Sequence, residues 1–534
     1  MENHLQTTNV PNGITEAAGA ELTGFLVTFD GPEDPENPRN WSTARKVIST
    51  ILYGLLTMGA TWSSAIYSTG AHMIAAELDV TEAVASLGTS FILIGFGIGP
   101  LLWSPLSELH GRKFPILVPY FIGICFTFGT GVARNIQTIL ITRFLVGFFS
   151  SAPICITGGA LADLFGPQQR GLALLGYAMA VVGGPVFAPI AGSAIVSSSL
   201  GWRWTQFITG IYMAFVAIVA SLLLAESYAP VLLVTKARRL RLATGQSAYH
   251  AKHEDWHPSL KEMALKFLLR PIQLLGTPVC FLFALHASFG MDYLIGTHPL
   301  HPLLSFKFDL LLPGMLVHDT KYRLTDQNFA VYSIVYLNIG SFPIIFHETR
   351  GWSPVVASLP FLALIVGIIV GALVNIFNQR FYLKKMRAAG NKPCPEARLP
   401  PMMAGATVLT GGLFIMANTA ENQFPWIAPV IAASMMGFGF FTIFQASLNY
   451  LVDTFPAYAA SAVAANTFMR SCMASIFPPL TTRMYHRLGV RWATNLLAFV
   501  ALAMIPIPWL FYFYGRRIAV RGKLSRRFTQ SDDH

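Results

Sequence analysis

The run Gly99-Pro100-Leu101-Leu102-Trp103-Ser104-Pro105-Leu106-Ser107-Glu108-Leu109-His110-Gly111-Arg112-Lys113 closes one apolar stretch and opens another. Its last six residues gather an acid, a turn-forming glycine and two bases between two long hydrophobic segments, the pattern of a short loop at a membrane face. Gly111 permits a tight turn there. Glu108, at a helix end, can pair with Arg112 or with a basic group across a helix bundle, and such a charge contact favours one of two arrangements of the chain.

Working outward, windows of about 19 residues place apolar spans near 47–68, 83–104, 114–133, 137–161, 171–195 and 205–225. A polar, basic stretch over 226–272 follows, and then a second set near 273–346 (interrupted), 354–378, 402–418, 425–450, 457–481 and 492–514. Composition agrees: 53% of the 534 residues are hydrophobic and 12% are charged, against about 25% charged in soluble domains. A soluble enzyme and a disordered chain are excluded. The net charge of +11 does not indicate a nucleic-acid partner, because the bases lie in short loops between spans. With the N-terminus in the cytosol, 26 of the 37 Lys and Arg fall on inner segments and six on outer loops. That bias puts both termini in the cytosol, so the sequon Asn40-Trp41-Ser42 is expected to stay unglycosylated. Residues 1–46 read as a cytosolic disordered tail and 515–534 as a basic cytosolic tail, flanking bundles at 47–225 and 273–514 joined by the central loop 226–272. Five cysteines show no metal-ligand spacing and read as buried small hydrophobes.

The loop 99–113 resembles the loop 2–3 signature of the major facilitator superfamily, in the form found in fungal drug:H+ antiporters with twelve spans (the polyamine and multidrug exporters). Leu109 stands where many relatives carry Arg, and Ser104 where the general pattern has Gly. Arg143 with Gly147 matches the Arg-x-x-x-Gly of the family's fourth span. An arginine at that depth costs several kcal/mol unless paired or wet, so it is expected to face the bundle interior; a snorkelling arginine is the alternative. Gly183-Gly184-Pro185-Val186-Phe187-Ala188-Pro189-Ile190-Ala191-Gly192 resembles the antiporter motif of span 5, carried by Gly184, Pro185, Pro189 and Gly192, with Ala188 replacing a usual glycine. Asn37 to Ser42, Glu226 to Pro230, Asn449 to Asp453 and Ala459 to Arg470 are similar to the fungal subfamily. The resemblance covers nearly the whole chain apart from 290–330 and the tails. It implies an all-α membrane protein of two six-helix bundles, with the substrate between them and rocking alternating access.

That fold lines its central cavity with spans 1, 4, 7 and 10, which offers Tyr53, Trp62, Tyr67, Arg143, Tyr336, Asn338, Gln445 and Asn449, each either packing or ligand contact. Aromatics with few fixed charges suit amphipathic, mostly neutral compounds. No Gly-x-x-x-x-Gly-Lys-Ser/Thr loop is present, so ATP does not drive transport in the P-loop manner, and no catalytic motif or cofactor is expected. No Asp or Glu lies near a span midplane; His286 is the one histidine within a span, a proton switch or a structural group. The expected function is proton-coupled export of drugs, toxins or a secondary metabolite by a monomer in the plasma membrane. Import of a nutrient or polycation, and a transport-inactive receptor or sensor, are the alternatives.

Span 7 is interrupted. Thr277 to Phe289 is too short to cross a bilayer, and the forty-one residues Gly290 to Ala330 are polar before Val331 to Phe346 turns apolar again. Joining Phe289 to Val331 restores an unbroken span. The genetic code permits a splice donor at Gly290-Met291, a branch point at Leu324-Thr325 and an acceptor at Ala330-Val331, in frame. The expectation is that 290–330 is a retained intron; the alternative is an extramembrane insert, which would leave backbone groups unsatisfied at the break.

Overall fold

The computed structural model describes residues 14–16, 25–254, 337, 340–390, 394–454 and 459–521. Among them, nine helical stretches are long and apolar enough to cross a membrane. The N-terminal half holds α1 (Thr43–Ile66), α2 (Ala71–Glu77), α3 (Glu82–His110), α4 (Lys113–Gly131), α5 (Ile136–Ser150), α6 (Ala152–Leu164), α7 (Pro167–Val196), α8 (Arg203–Leu223) and α9 (Ala229–Thr244). The C-terminal half holds a π-helical turn at Pro343–Thr349, then α10 (Pro354–Ser358), α11 (Pro360–Ala388), α12 (Pro400–Thr419), α13 (Ile427–Thr454), α14 (Ala459–Ala474), α15 (Phe477–Met504) and α16 (Pro506–Arg521). Helix starts follow local chemistry: the Ser42 hydroxyl accepts from Arg45 N, Thr81 from Val84 N and Asn135 from Thr138 N. Pro153, which has no N–H to give to the preceding turn, sits at the joint between α5 and α6.

Close helix approach at glycines fixes both bundles, and does so twice in the same pattern. A Cβ on Gly147 would strike the Ile92 carbonyl of α3, and one on Gly95 would meet Phe144 O and Phe148 N of α5. In the second half, a Cβ on Gly437 would strike the Leu364 carbonyl of α11, and one on Gly367 would meet Ser434 O and Phe438 N of α13. The spacings within each helix are identical, so the halves are structural repeats. In membranes small residues hold helices together because apolar side chains gain nothing by leaving lipid.

Three departures from the sequence reading stand out. Residues 25–42, read as disordered tail, are packed: β2 (Phe25–Val27) pairs antiparallel with β1 (Ile14–Glu16) and parallel with β3 (Tyr249–His250). The tail is held to α9 by Lys236, 2.8 Å from Asp30 and 3.2 Å from Asp34. Local patterning gave no sign of this, because the pairing joins segments more than 200 residues apart. Part of the central loop is the helix α9, ended by Gly245 in the left-handed region. The eleventh span also runs past 481: Gly489 (φ 73°) breaks α15 and marks its turn into the twelfth. The interruption at 290–330 lies outside the described residues.

Candidate functional site

Arg112 leaves the loop 2–3 turn buried, its Nε 2.9 Å from Asp163 Oδ2 of α6 and its Nη1 donating to Ser107 Oγ at 2.9 Å. The guanidinium also lies 4.6 Å from the Tyr228 ring centre. Burial opposes its charge, but Asp163, Tyr228 and Glu108 outweigh that and hold it above its ordinary value. The turn itself is organised by Glu226, whose carboxylate accepts from Arg112 N (2.7 Å), Lys113 N (3.0 Å), Ser227 N (2.9 Å) and Tyr228 N (2.8 Å). Gly111 has φ 87° and ψ −175°, a region open to glycine alone, and a Cβ there would strike the Glu226 carboxylate. The direct salt bridge of Arg112 is to Asp163, a partner the sequence reading did not name. The side chain lies back along the buried Ser107 face of α3, with Glu108 close enough to add to the negative field around it. Lys113 contributes its backbone N–H.

The second half carries the counterpart. Arg398 Nε is 3.0 Å from Asp453 Oδ2, both buried, and its guanidinium stacks 3.3 Å from the Tyr382 ring centre. Asp453 follows Gly437 by the same sixteen residues that separate Asp163 from Gly147. Sequence reasoning singled out neither Arg398 nor the pairing, because the loop around it has no motif; the repeated Gly-to-Asp spacing was the available signal.

This face also joins the two bundles. Arg398 Nη1 donates to Gln379 Oε1, and Gln379 Nε2 donates to Gln168 O at 2.9 Å in the other half. Gly171 of α7 lies so close that a Cβ would stand 2.5 Å from Arg398 Nη1. Gln445, with its amide set to satisfy both ends, donates to Leu174 O at 3.2 Å and accepts from Asn449 Nδ2 at 3.1 Å. Gln445 and Asn449 thus line the seam against α7, with Gly171, Asn375, Gln379 and Arg398.

Arg143 is fully buried and donates to three backbone carbonyls, Gly88 (3.1 Å), Ser63 (2.8 Å) and Ser64 (3.2 Å), with the Tyr67 ring centre 4.5 Å away. The Tyr67 hydroxyl donates to Ala85 O at 3.0 Å, its ring lying on Gly88. Arg143 thereby ties α1, α3 and α5. In the span 5 motif, a Cβ on Gly184 would crowd Trp62 N (2.9 Å) and Met58 O (3.0 Å), and one on Gly192 would crowd Thr69. Pro185, Ala188 and Pro189 lie inside this same α7, which packs along α1. Of the aromatic candidates, Tyr53 is buried beside the Arg112 cluster, Tyr67 serves Arg143, and Trp62 pairs with Tyr212 of α8 at 6.4 Å. Tyr53 and Tyr67 are buried, and Trp62 is half-buried. His286, Tyr336 and Asn338 lie outside the described residues.

Against known proteins, the family model described as Major Facilitator Superfamily matches residues 51–318. The chain is 42% identical over 509 residues to the efflux pump bik6 of Gibberella fujikuroi, covering 95% of this chain and 96% of that one. It is 38% identical over 526 residues to the citrinin biosynthesis cluster MFS transporter mrr1 of Monascus ruber, covering 98% and 97%. Among solved structures, the xylose transporter XylE of E. coli superposes with a TM-score of 0.53 at 13% identity, over 88% of this chain and 98% of that one. Human MFSD10, an organic anion transporter, gives 0.54 at 13% identity, over 88% and 100%. At that identity the likeness is one of fold alone.

Proposed function

The chain belongs to the major facilitator superfamily, a multi-pass membrane transporter and not an enzyme, and on that premise we propose that it exports small amphipathic compounds in exchange for protons. The observation that carries the outward direction is its end-to-end similarity to a protein named an efflux pump. The relative from a citrinin biosynthesis cluster supports a secondary metabolite as one cargo. The glycine–proline run of α7, packed on α1, supports the antiporter form. With no P-loop to use ATP, transport draws on a gradient, and the resemblance to drug:H+ antiporters makes the proton the coupling ion of this reading. The protein works as a monomer in the plasma membrane with both termini in the cytosol, the orientation favoured by the lysine and arginine bias.

Alternating access follows from the repeats. The Arg112–Asp163 and Arg398–Asp453 pairs lie on the face where the bundles meet, beside the Gln379–Gln168 contact. Rocking of one bundle against the other breaks the contacts between halves and leaves each ion pair intact within its own half.

The test is substrate accumulation in a pump-deficient yeast expressing the full chain or a form lacking Gly290 to Ala330, with and without a protonophore. Lowered accumulation that the protonophore abolishes supports proton-coupled export. Raised accumulation would identify an importer, and unchanged accumulation a receptor. Export by the shortened form alone supports the retained intron; equal export by the full chain sinks it.

A further inference from the structure

The seam between the halves holds a cleft. One wall is α7 of the first half, the other is α11 of the second, and α13 closes the floor. Its rim is apolar and open to lipid: Leu172 of α7 is 55% exposed and Ile376 of α11 is 40% exposed. Leu172 lies five residues from the start of α7 at Pro167, about 7.5 Å of helix rise. The mouth therefore sits in the cytosolic leaflet, in the orientation argued above.

Behind the rim the lining is carboxamide. Gln379 and Gln445 commit both ends of their side chains to Arg398, the carbonyls of Gln168 and Leu174, and Asn449. Three asparagines keep an oxygen over. Asn375 Nδ2 donates to Gly371 O of its own helix at 2.9 Å, Asn378 Nδ2 to Ala397 O at 3.2 Å and Asn449 Nδ2 to Gln445 Oε1 at 3.1 Å, while their Oδ1 atoms accept no hydrogen bond among the described residues. Asn449 is only 6% exposed, and a polar atom so enclosed calls for a donor. Arg398, the one charged group among the lining residues, is neutralised by Asp453 at 3.0 Å. The cleft thus offers acceptors and an apolar edge with no uncompensated charge. An ion entering it would lose its hydration for nothing, whereas a hydroxyl or N–H would be received. As it stands the cleft measures about 10 Å³, room for one water molecule. Its walls belong to different halves, so the rocking that separates them widens it.

We infer that cargo enters this cleft from the cytosolic leaflet as an uncharged amphiphile, its hydroxyl or N–H groups held by Asn375, Asn378 and Asn449 and its apolar body against Leu172 and Ile376. This rests on the export reading above and adds to it the route and the head group.

The test uses the full chain in nanodiscs, freed of native cysteines and carrying one nitroxide at Leu172→Cys or, as control, at Ile218→Cys. Ile218 lies five residues from the end of α8 at Leu223 and is 54% exposed, so both labels meet lipid at about the same depth. The probes share one body: 1-pyrenemethanol, its methyl ether, 1-pyrenemethylammonium and 1-pyrenecarboxylate. Quenching of the alcohol from position 172 should exceed that from 218 by about threefold or more, the yield of a single net hydrogen bond. The other three probes should be quenched nearly alike from both, and a label at Ile376→Cys should repeat the pattern of 172. Asn375→Leu, which gives up only a bond within its own helix, should bring the alcohol down to the level of the ether. Equal quenching of the alcohol from 172 and 218 overturns the inference, whether or not the variant folds. So does an ether, ammonium or carboxylate enriched as strongly as the alcohol, or a folded Asn375→Leu chain that keeps the alcohol's excess. Outward flux in cells is read separately: an alcohol enriched at 172 but not exported refutes efflux and leaves the cleft standing, and an alcohol exported without enrichment refutes the cleft and leaves efflux standing.

Discussion

In Gly171→Ala the new Cβ would stand 2.5 Å from Arg398 Nη1 and 2.6 Å from Gln379 Oε1, across the seam between the halves. Ordinary contact needs roughly another ångström. Arg398 is poorly placed to yield it, with Nε held by Asp453 at 3.0 Å and its plane resting on Tyr382. Overpacking of this kind costs about 1–3 kcal/mol, and separating α7 from α11 relieves it without breaking either ion pair. The strain therefore favours the state open on the loop 2–3 face by about 5- to 150-fold. Spin labels at the exposed positions His110 and Lys384, in a background freed of native cysteines, report the separation of the halves on this face. Their distance distribution is expected to move from short to long in Gly171→Ala. Gly176→Ala, on the same helix but 4.0 Å from its nearest neighbour atom, should leave it unchanged. An unshifted distribution in a folded Gly171→Ala protein would refute the idea that this contact keeps the face closed.

Arg143→Met should remove the donor that the carbonyls of Ser63, Ser64 and Gly88 share, and with it the tie among α1, α3 and α5; the yield of monodisperse protein and its thermal midpoint should fall, and less so for Arg143→Lys. Gly111→Ala meets both a backbone region closed to other residues and the Glu226 carboxylate, so its midpoint should drop well below that of Gly166→Ala, where space is open. Burial pushes the Asp34 carboxyl up, but the N–H groups of Asp30 and Glu36 and the Lys236 ammonium prevail and hold it below the usual carboxylate range. Its contribution to holding the tail is therefore complete above that range and lost only as pH falls through the depressed value. Hydrogen exchange at Phe25–Val27 should stay slow from pH 7 to about 5 in the wild-type chain and be fast throughout in Asp34→Asn.

What could be read from sequence is what short-range chemistry decides. Apolar runs located the described spans, though the eighth and eleventh run on for eight to ten residues past their apolar windows, and Gly111 announced the loop 2–3 turn because a reversal at a membrane face needs positive φ. Partner choice was out of reach. Arg112 meets Asp163 fifty-one residues on and Glu226 over a hundred away, and the local sequence carries no signal of either. The Arg398–Asp453 pair was hidden because loop 8–9 keeps the charge without the motif. Its position was nevertheless implied by the interval from Gly437, a signal visible only once the halves are compared as copies. Periodicity also tells which face of α1 is inward without telling what that face meets: Tyr53 lies beside the Arg112 cluster and Trp62 beside Tyr212 of α8.

The docking of the tail on α9 bears on how such proteins can be recombined. β2 on β3, Lys236 on Asp30 and Asp34, and Arg241 on Glu254 (2.6 Å) form one knot, and His253 Nε2 lies 3.2 Å from the Leu109 carbonyl of loop 2–3. Among the described residues, every strand pair and ion pair in it closes by Glu254, ahead of the second bundle. A joint placed after Glu254 keeps these contacts with the first half when the second half of a relative is grafted on. Chimeras made there would assign selectivity to one half or the other without the confusion of a damaged scaffold.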